Sequence, residues 1–319
     1  MPETAIVIVN YRSWDPLNSC LQSIISEVSE LAGVIEVVVV DNNSADGSLA
    51  SFQAKFPSVK WIENPVNAGF GAANDLGVLN TQASRLIFLN PDTKLPKGSL
   101  RQWINAFTQL PQPAIAACPQ VDLNGQACKV YDLFPGPFDA LGFVRSLRRK
   151  KLMKKLASGP RPVDWITGAA VLIDRTTLDQ LGGWGNIYWM YSEDVDLCKR
   201  AQEQDIGVYI TDTLPIIHVH GGSTRSTYRI TAITKSEVVR SKHIYAERWF
   251  LGLPRLICHF LLAVRALLKA TLGSLLDLLF LHQLRSLQSQ PHLLLELLGM
   301  YSKRIVYGSW RSPRSVNNP

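Results

Sequence analysis

The sequence predicts an α/β protein with a mixed, mostly parallel sheet flanked by helices, followed by a Leu-rich helical extension. Two observations support this fold class. Short apolar runs alternate with amphipathic segments through the first hundred residues, which is the pattern of βαβ units. Beyond Tyr245 the composition shifts toward leucine. With 319 residues, 46% of them apolar and 18% charged, the chain suits one large domain with an appendage.

Four apolar runs near the N-terminus have the length of buried parallel strands. They cover Thr4–Asn10, Ile35–Val40, Val59–Ile62 and Arg85–Leu89, and the helices expected between them cover Trp14–Leu31, Leu49–Phe56 and Phe70–Thr81. Ligands bind at the carboxyl ends of the strands in such sheets. We therefore expect Tyr11, Asp41, Asn67 and Asp92, which follow these strands, at a binding edge.

The alternation weakens from about Ser99 onward. Later elements are a helix over Arg101–Leu110 and strands over Ala114–Cys118, Lys129–Leu133, Asp164–Asp174, Gly207–Ile210 and Ile216–Ser223. Residues 134–162 predict a long basic loop with a partial amphipathic helix. We expect one domain over residues 1–245, with halves of about 1–98 and 99–245, and a helical region over 246–319.

The segment Gly182–Arg200 combines aromatic residues with carboxylates. It contains Trp184, Tyr188, Trp189, Tyr191, Ser192, Glu193, Asp194 and Asp196. Ser192 is predicted to cap a helix whose first turn carries the acids, where the helix dipole favours negative charge. An ordinary capped helix start explains this pattern, and so does one wall of a pocket.

The positive charge of the chain is local. The formal net charge is +7, and eight basic residues occur with no acid between them, at Arg145, Arg148, Arg149, Lys150, Lys151, Lys154, Lys155 and Arg161. Without them the chain is close to neutral. Such a cluster is typical of contact with an anionic membrane or with nucleic acid. No aromatic interleaving or recognition motif favours nucleic acid.

The Leu-rich segment Arg255–Leu281 predicts a helix with one broad apolar face. Its charged residues recur near helical spacing. They leave no uncharged run of about 18 residues, which is the length that a membrane-spanning helix needs. We expect the helix to lie in a membrane interface or to pack in a helical hairpin or homo-oligomer. A core helix is the alternative.

The five cysteines are dispersed without a CxxC pair, so we expect a reducing compartment and neither a disulfide framework nor a zinc site. The N-terminus has no basic region before its apolar run. We therefore expect no signal peptide and a cytoplasmic protein.

Several polar residues are candidates for ligand chemistry. Asp92 follows a buried strand, where a carboxylate can hold a divalent cation, although Asn-Pro-Asp is also an ordinary turn. His218 and His220 alternate on one strand, so both can face one site or serve a structural role. Asp41 can accept a hydrogen bond from a uracil or thymine imide, or cap the following turn. The GxxxxGK[ST] phosphate loop is absent, and Gly69-Phe70-Gly71 gives only part of a dinucleotide fingerprint.

The order of these motifs resembles an inverting family 2 glycosyltransferase of the GT-A fold, in its rhamnosyltransferase-like branch. The matching stretches are IVIVNYRS (6–13), VVVVDNNSADGS (37–48), NAGFGAAND (67–75), FLNPDT (88–93), WITGAAVLID (165–174), GGW…MYSEDVDLCKR (182–200) and HVHGGST (218–224). Together they extend over roughly residues 5–225.

The resemblance implies a role for each candidate residue. The nucleotide-binding set is Asn10, Tyr11, Asp41, Asn67, Gly69, Gly71 and Asn74; the metal-binding set is Asp92, His218 and His220; the acceptor or sugar set is Trp165, Gly168, Trp184, Trp189 and Tyr191. Asp194 resembles the catalytic base, and Glu193 is expected to orient the acceptor. His218 aligns best with the family's metal-ligating histidine, and His220 is the competing assignment. The metal is expected to be Mg²⁺ or Mn²⁺.

The implied function is transfer of a sugar, with rhamnose favoured, from a dTDP- or UDP-sugar to a lipid-linked or polysaccharide acceptor at the inner face of the plasma membrane. The chain departs from the family at Trp184-Gly185-Asn186, where Phe-Asp-Glu is usual. The alternative is a non-catalytic nucleotide-sugar or glycan-binding module on the same fold.

Overall fold

The computed structural model describes residues 2–29, 35–153, 161–219 and 227–314. Its strands are β1 (Thr4–Asn10), β2 (Ile35–Asp41), β3 (Lys60–Glu63), β4 (Arg85–Leu89), β5 (Thr93–Lys94), β6 (Ala114–Ala117), β7 (Gln120–Val121), β8 (Tyr131–Asp132), β9 (Arg161–Pro162), β10 (Trp165–Ile166), β11 (Ala170–Asp174), β12 (Gly207–Ile210) and β13 (Ile216–His218). Its helices are α1 (Trp14–Ser29), α2 (Leu49–Lys55), α3 (Phe70–Leu79), α4 (Ser99–Thr108), α5 (Gly142–Met153), α6 (Arg175–Leu181), α7 (Glu193–Gln202), α8 (Tyr228–Trp249), α9 (Gly252–Leu279) and α10 (Gln290–Tyr307).

The contacts of the chain divide it into two compact units. The first comprises residues 1–134, 152–186 and 193–222, and the second comprises residues 135–151, 187–192 and 223–319. The boundary expected between residues 245 and 246 falls inside α8, which is one continuous helix.

The first unit is built on a mixed sheet of order β3-β2-β1-β4-β11-β6-β12-β9. Strands β1, β2, β3 and β4 are parallel, and β11 is antiparallel to both β4 and β6. All seven residues of β1 are buried, as expected for a strand covered on both faces. The side chains of Leu17, Ile24, Trp103 and Phe107, on α1 and α4, belong to the core cluster on one face.

The single strand expected over Asp164–Asp174 is interrupted. β10 pairs with β8 in a separate two-stranded sheet, whereas β11 joins the main sheet. Residues 167–169 lie between these two strands, and the N–H groups of Thr167 and Gly168 donate to acceptors outside both sheets. The Thr167 N–H donates to the Val130 carbonyl at 2.9 Å, and the Gly168 N–H donates to the Asp194 carboxylate at 3.0 Å.

The second unit contains α5 and the three long helices α8, α9 and α10, which pack on one another in pairs. Helix α8 has no counterpart in the sequence prediction. Its packed face buries polar residues, including Ser236, Glu237, Arg240 and His243, so it lacks the apolar periodicity by which helices are predicted. Glu237 accepts hydrogen bonds from Ser312 at 3.1 Å and Arg314 at 2.9 Å, which satisfy the buried carboxylate.

Helix α9 confirms the expected helix with an exposed apolar face. Leu256, Phe260, Leu268, Leu272 and Leu275 are all at least 60% exposed and recur at intervals of three, four and eight residues. By length and composition alone the helix is sufficient to cross a membrane, which differs from the sequence expectation; 17% of its most apolar 18-residue window is buried. A core helix would be mostly buried, so that alternative is not supported.

His243 connects the three long helices. One ring nitrogen lies 2.8 Å from His259 Nδ1 on α9, and the other lies 3.0 Å from the Tyr301 hydroxyl on α10. The indole of Trp310 stacks on the His243 ring at a centroid distance of 4.0 Å. Burial, followed by the nearby charges of His259, Arg240 and Arg304, lowers the pKa of His243 to about 3.

We predict that this buried neutral imidazole makes the second unit sensitive to acid. Between pH 6.5 and about 3 the unfolded chain binds a proton at His243 that the folded chain excludes. Stability from this group is therefore complete above its unfolded pKa and falls by about 1.4 kcal/mol per pH unit below it. His243→Phe should lower stability at pH 7 and flatten its decline between pH 6.5 and 5, measured by urea unfolding followed by circular dichroism.

His292→Gln is the matched control because His292 is exposed on the same helical unit. It should keep the pH slope of the wild type. A His243→Phe protein with an unchanged slope would contradict the assignment.

Candidate active site

The candidate residues of the first unit collect at one edge of its sheet. The carboxyl ends of the parallel strands β1, β2 and β4 lie at this edge. Because β11 is antiparallel to β4, with Ala170 opposite Leu89, its amino end lies there too. The Asn90 N–H donates to the Ala169 carbonyl at 2.9 Å. This hydrogen bond therefore connects the turn that contains Asp92 to the segment that contains Gly168.

Asp41 is buried at the end of β2 and is held by neighbours. Asn10 Nδ2 donates to Asp41 Oδ1 at 3.2 Å, the Ser44 N–H donates to Asp41 Oδ2 at 3.2 Å, and the Ser44 hydroxyl donates to Oδ1. The turn-capping role left open by the sequence is present, and contact with a base stays a prediction. Tyr11 is 40% exposed beside these residues.

Asn42, which the sequence analysis did not select, fixes the loop that leads into α3. Its Nδ2 donates to Asn67 Oδ1 at 3.0 Å, and its Oδ1 accepts from Asn64 Nδ2 at 2.9 Å and from the Ala68 N–H at 3.1 Å. The Gly69 N–H also donates to Asn67 Oδ1. Asn67 thus shapes the loop through its side chain. The signal for Asn42 was its position directly after a strand-ending aspartate.

The start of α3 needs its glycines. Gly69 has φ 88°, in the left-handed region that favours glycine. A Cβ built on Gly71 would lie 2.6 Å from the Gly185 carbonyl oxygen. Asn74, one turn further on, is buried, and its Nδ2 has no hydrogen-bond partner among the described residues.

Asp75 and Arg200, which are not among the predicted site residues, hold the turn at residues 183–185. Asp75 accepts from the Trp184 N–H at 2.8 Å and the Gly185 N–H at 3.0 Å. Arg200 donates to the Gly183 carbonyl at 2.8 Å and the Trp184 carbonyl at 3.0 Å. Burial raises the pKa of Asp75, even though these N–H groups and the Arg200 charge act in the opposite direction.

Asp196 orients this arginine. Asp196 Oδ2 accepts from Arg200 Nε at 2.9 Å, one helical turn along α7. This agrees with the expectation that Asp196 supports the helix. The i, i+4 spacing of the two residues was a signal for the pair.

The position of Trp184 corrects the expectation that it forms part of an aromatic sugar-binding wall. It is 1% exposed, and its ring packs edge to face against Phe70 and Phe88 at 5.4 and 5.1 Å. Its ring faces are therefore core surfaces, which a sugar cannot reach. Trp165 is half-buried, and its Nε1 donates to the Leu133 carbonyl at 2.8 Å.

Trp189 and Tyr191 belong to the second unit. The Arg314 guanidinium lies 5.8 Å from the centre of the Trp189 ring. Tyr191 and Ser192 have φ of 71° and 68°, which is rare for residues other than glycine. The predicted Ser192 cap is not formed by its hydroxyl, which donates to Ser241 at 3.3 Å. Sugar contacts by Trp189 and Tyr191 stay predictions.

Asp194 is positioned at the start of α7 by backbone N–H groups. The Gly168 N–H donates to Asp194 Oδ2 at 3.0 Å, and the Val195 N–H donates to Oδ1 at 2.8 Å. A Cβ on Gly168 would lie 3.5 Å from that of Asp194 and 3.3 Å from the Phe70 ring, so the approach requires a small residue. Desolvation by the surrounding protein raises the pKa of Asp194, and the N–H donors of Gly168 and Val195 act in the opposite direction.

Glu193 is more deeply buried, at 7% exposed. Its Oε2 accepts no hydrogen bond within the described part of the chain. Burial and the neighbouring Asp194 raise the pKa of Glu193 to about 8. Asp194 has two N–H donors to its carboxylate, whereas Glu193 Oε2 has none among the described residues. Glu193 is therefore the member of the pair that binds a proton more readily.

Asp92 and His218 lie together because β13 pairs with β5, which places His218 opposite Thr93. His218 Nε2 is 3.2 Å from Asp92 Oδ1, and His218 Nδ1 is 2.8 Å from Gln120 Oε1. When Nδ1 donates to Gln120, the neutral ring presents the Nε2 lone pair toward Asp92. A metal-binding histidine is commonly oriented in this way by a second hydrogen bond.

These two side chains fit a divalent cation with few protein ligands. His220 lies outside the described residues. Within the described ranges, no three His, Cys, Asp or Glu side chains form a metal-binding group. A cation held by one carboxylate and one imidazole would complete its coordination with water and substrate phosphate. Gln120, which no sequence signal indicated, is the residue that orients the imidazole.

We predict that Gly71→Ala disrupts the packing of α3 on the 184–185 turn, because the new methyl group would meet a backbone carbonyl. The expected loss is about 1–3 kcal/mol in the free energy of unfolding, measured by urea denaturation. Gly299→Ala in α10 is the control, since nothing lies within 4 Å of its added Cβ. It should gain about 0.5–1 kcal/mol. Equal behaviour of the two variants would contradict the packing argument.

Comparison with known proteins agrees with this arrangement. Residues 5–171 match the model of glycosyl transferase family 2. The chain is 24% identical over 260 residues to the low-salt glycan biosynthesis hexosyltransferase Agl10 of Haloferax volcanii, covering 77% of this chain and 78% of that protein. It is 26% identical over 213 residues to the N-acetylglucosaminyl-diphospho-decaprenol L-rhamnosyltransferase of Mycobacterium tuberculosis, covering 60% and 68%.

Solved structures share the fold. A mannosyltransferase of Pyrobaculum calidifontis, in complex with GDP-Man and Mn²⁺, superimposes with a TM-score of 0.52 at 16% identity, covering 97% of this chain and 88% of that one. Residues 1–349 of Staphylococcus aureus TarS, in complex with UDP-GlcNAc, give 0.53 at 14% identity, covering 94% and 81%. The expected GT-A fold is confirmed. The family match covers more than half of the chain, and the protein therefore belongs to glycosyl transferase family 2.

Proposed function

We propose that this glycosyltransferase is an inverting, metal-dependent enzyme in which Asp194 is the base. The observation that carries the proposal is the Gly168–Asp194 hydrogen bond, at the same sheet edge as the Asp92–His218 pair. A base must remove a proton from the acceptor hydroxyl while the diphosphate leaves on the other side of the sugar. Asp194 is half-buried, and a carboxylate with a raised pKa is a stronger base than a fully solvated one. The two backbone N–H donors favour its ionised form.

Asp92 and His218 would hold Mg²⁺ or Mn²⁺. The cation would stabilise the negative charge of the departing diphosphate. Support comes from the 3.2 Å separation of His218 Nε2 and Asp92 Oδ1, from the contact of His218 Nδ1 with Gln120, and from the solved mannosyltransferase in complex with Mn²⁺.

The donor is proposed to be a dTDP- or UDP-sugar, with rhamnose favoured. The rhamnosyltransferase of M. tuberculosis named above supports this choice, as does the E. coli rhamnosyltransferase WbbL, which is 21% identical over 70% of the chain. Asn10, Tyr11, Asp41, Asn67, Gly69, Gly71 and Asn74 form the proposed nucleotide side. Asn186, which replaces the family's usual acidic residue, is exposed next to the turn that Asp75 and Arg200 hold.

The acceptor is proposed to be a lipid-linked or polysaccharide glycan at the inner face of the plasma membrane. The exposed leucines of α9 supply apolar surface, and α5 carries Arg145, Arg148, Arg149, Lys150 and Lys151. A basic residue near an anionic leaflet contributes about 1 kcal/mol. A homo-oligomer would bury the same face of α9.

We predict that Asp194→Asn lowers transfer by about 10³-fold while donor binding persists, because the amide keeps the size of the side chain but cannot accept the proton. Release of nucleoside diphosphate measures turnover, and thermal shift with donor and Mn²⁺ measures binding. The expectation for Glu193→Gln is different. It should retain activity within about tenfold at pH 7, since glutamine imitates the protonated acid.

Asp205→Asn is the matched control. Asp205 is exposed in the turn after α7 and has φ 56°, a conformation that asparagine adopts readily. It should behave as the wild type. Turnover near normal in Asp194→Asn, or a loss in Glu193→Gln as large as that in Asp194→Asn, would refute the assignment of the base.

We predict that removal of divalent cations abolishes turnover and that Mn²⁺ restores it. His218→Ala should require a much higher Mn²⁺ concentration, and Gln120→Leu should weaken apparent metal affinity by about 10–100-fold through loss of the orienting hydrogen bond. Activity titrated against Mn²⁺ after chelation checks both. Full activity in excess chelator would exclude metal dependence.

A further inference from the structure

The second unit contains a half-open cavity of about 630 Å³, and none of the proposed nucleotide-binding residues, metal ligands or catalytic carboxylates lines it. Its walls come from the segment before α5, from α5 itself, and from α8, α9 and α10. This volume lies in the range of about 300–1,000 Å³ that is usual for small-molecule sites.

One part of the wall is strongly basic. The cations among the described lining residues are Arg145, Arg149, Lys235, Lys242, Arg265 and Lys269. Asp139 is the one carboxylate in that same set, and it is already engaged: Arg148 Nη1 lies 2.6 Å from its Oδ1, and the Gly136 N–H donates to its Oδ2 at 3.0 Å. The cavity therefore has a large excess of positive charge.

Lys242 is the centre of this charge. Its neighbours in α8, Ser241 and His243, are buried, whereas Lys242 lines the cavity and remains exposed to solvent. Burial lowers the pKa of Lys242, and the charges of Arg145, Arg265 and Lys269 lower it further. The cations are thus close enough to repel one another, and a bound anion would offset that repulsion.

Arg265 is held in place from outside the cluster. Its Nη1 donates to the Ala140 carbonyl at 2.7 Å, which uses one of the five N–H groups of the guanidinium. The remaining donors match the oxygen atoms of a phosphate.

The rest of the wall is apolar and includes Val238, Phe250, Leu262, Leu293 and Leu297. A site for inorganic phosphate alone would not need this surface. Cationic and apolar walls together suit an amphipathic anion, in which a phosphate group is esterified to a hydrocarbon chain.

We propose that this cavity binds the phosphate or diphosphate of the lipid-linked acceptor, with Lys242, Arg265 and Lys269 on the phosphate and the partly exposed Val238, Phe250 and Leu262 along the first part of the lipid chain. The proposal rests on the proposed function for its choice of acceptor. Ser192, which also lines the cavity, directly precedes Glu193 and Asp194 in the chain. By connectivity alone, the segment that lines the lipid-phosphate site leads into the one that carries the proposed base.

The test uses the full chain without donor or divalent cation, so that the nucleotide side is not assayed. Binding of farnesyl diphosphate, inorganic pyrophosphate and farnesol is measured by calorimetry. Farnesyl diphosphate should bind at least about tenfold more tightly than either of its parts. Lys242→Gln/Lys269→Gln should weaken it by at least about tenfold, and Lys303→Gln, an exposed residue of α10 outside the cavity lining, should not change it.

The double variant should melt no lower than the wild type, because the change removes mutual repulsion; circular dichroism checks this. Asp92→Asn should bind farnesyl diphosphate normally, which separates this cavity from the donor side. Equal binding of pyrophosphate and farnesyl diphosphate, or unchanged binding in a folded double variant, overturns the proposal. Tight binding to phosphatidylglycerol vesicles without binding of farnesyl diphosphate also overturns it, in favour of a general phospholipid site.

A transfer assay distinguishes a failure of the cavity proposal from a failure of the proposed function. With an acceptor glycan that lacks the lipid phosphate, the double variant should match the wild type. Wild-type protein that binds farnesyl diphosphate but releases no nucleoside diphosphate from any donor would leave the cavity assignment intact and refute the proposed reaction. A defect of the double variant on the phosphate-free acceptor would overturn the cavity assignment.

Discussion

The antiparallel pairing of β11 with β4 is the constraint on which the candidate active site depends. In a wholly parallel sheet, the residues before β11 would lie at the opposite edge from those after β4. The reversal brings Ala169 within hydrogen-bond distance of Asn90. The Asp92 turn follows β4, and the Gly168 N–H that donates to Asp194 precedes β11. Both are therefore attached to paired, buried strands, which are rigid because both of their faces are packed.

The second constraint is the close packing around Trp184. Its buried ring fills the space between Phe70 on α3 and Phe88 on β4. Asp75 and Arg200 then fix the backbone on either side of it from two different helices. The backbone of the 183–185 turn, which has little regular secondary structure, is thereby held by specific hydrogen bonds, as the strands of the sheet are.

The order of strands and helices in the first hundred residues could be predicted because each has a local signature. Arg85–Leu89 and Gly207–Ile210 are short apolar runs, and the structure has strands with those bounds. Several site partners have no local signature. Gln120 is 98 residues from His218, and Asp75 is 109 residues from Trp184, so only the folded chain reveals them. Trp184 misled for a related reason: an aromatic residue next to carboxylates has the same sequence pattern in a core as in a binding wall. Helix α8 was missed because its buried face is polar.

A Cβ added at Gly71 would clash with the carbonyl oxygen of Gly185 and not with a side chain. No substitution at residue 185 can relieve this clash, and φ 86° independently restricts that residue to glycine. Asn186, the next residue, is exposed and carries neither restriction. The backbone conformation of the turn is thus constrained, whereas the side chain at residue 186 is not. Single substitutions at residue 186 can therefore change the chemistry that this turn presents to solvent without destabilising the fold.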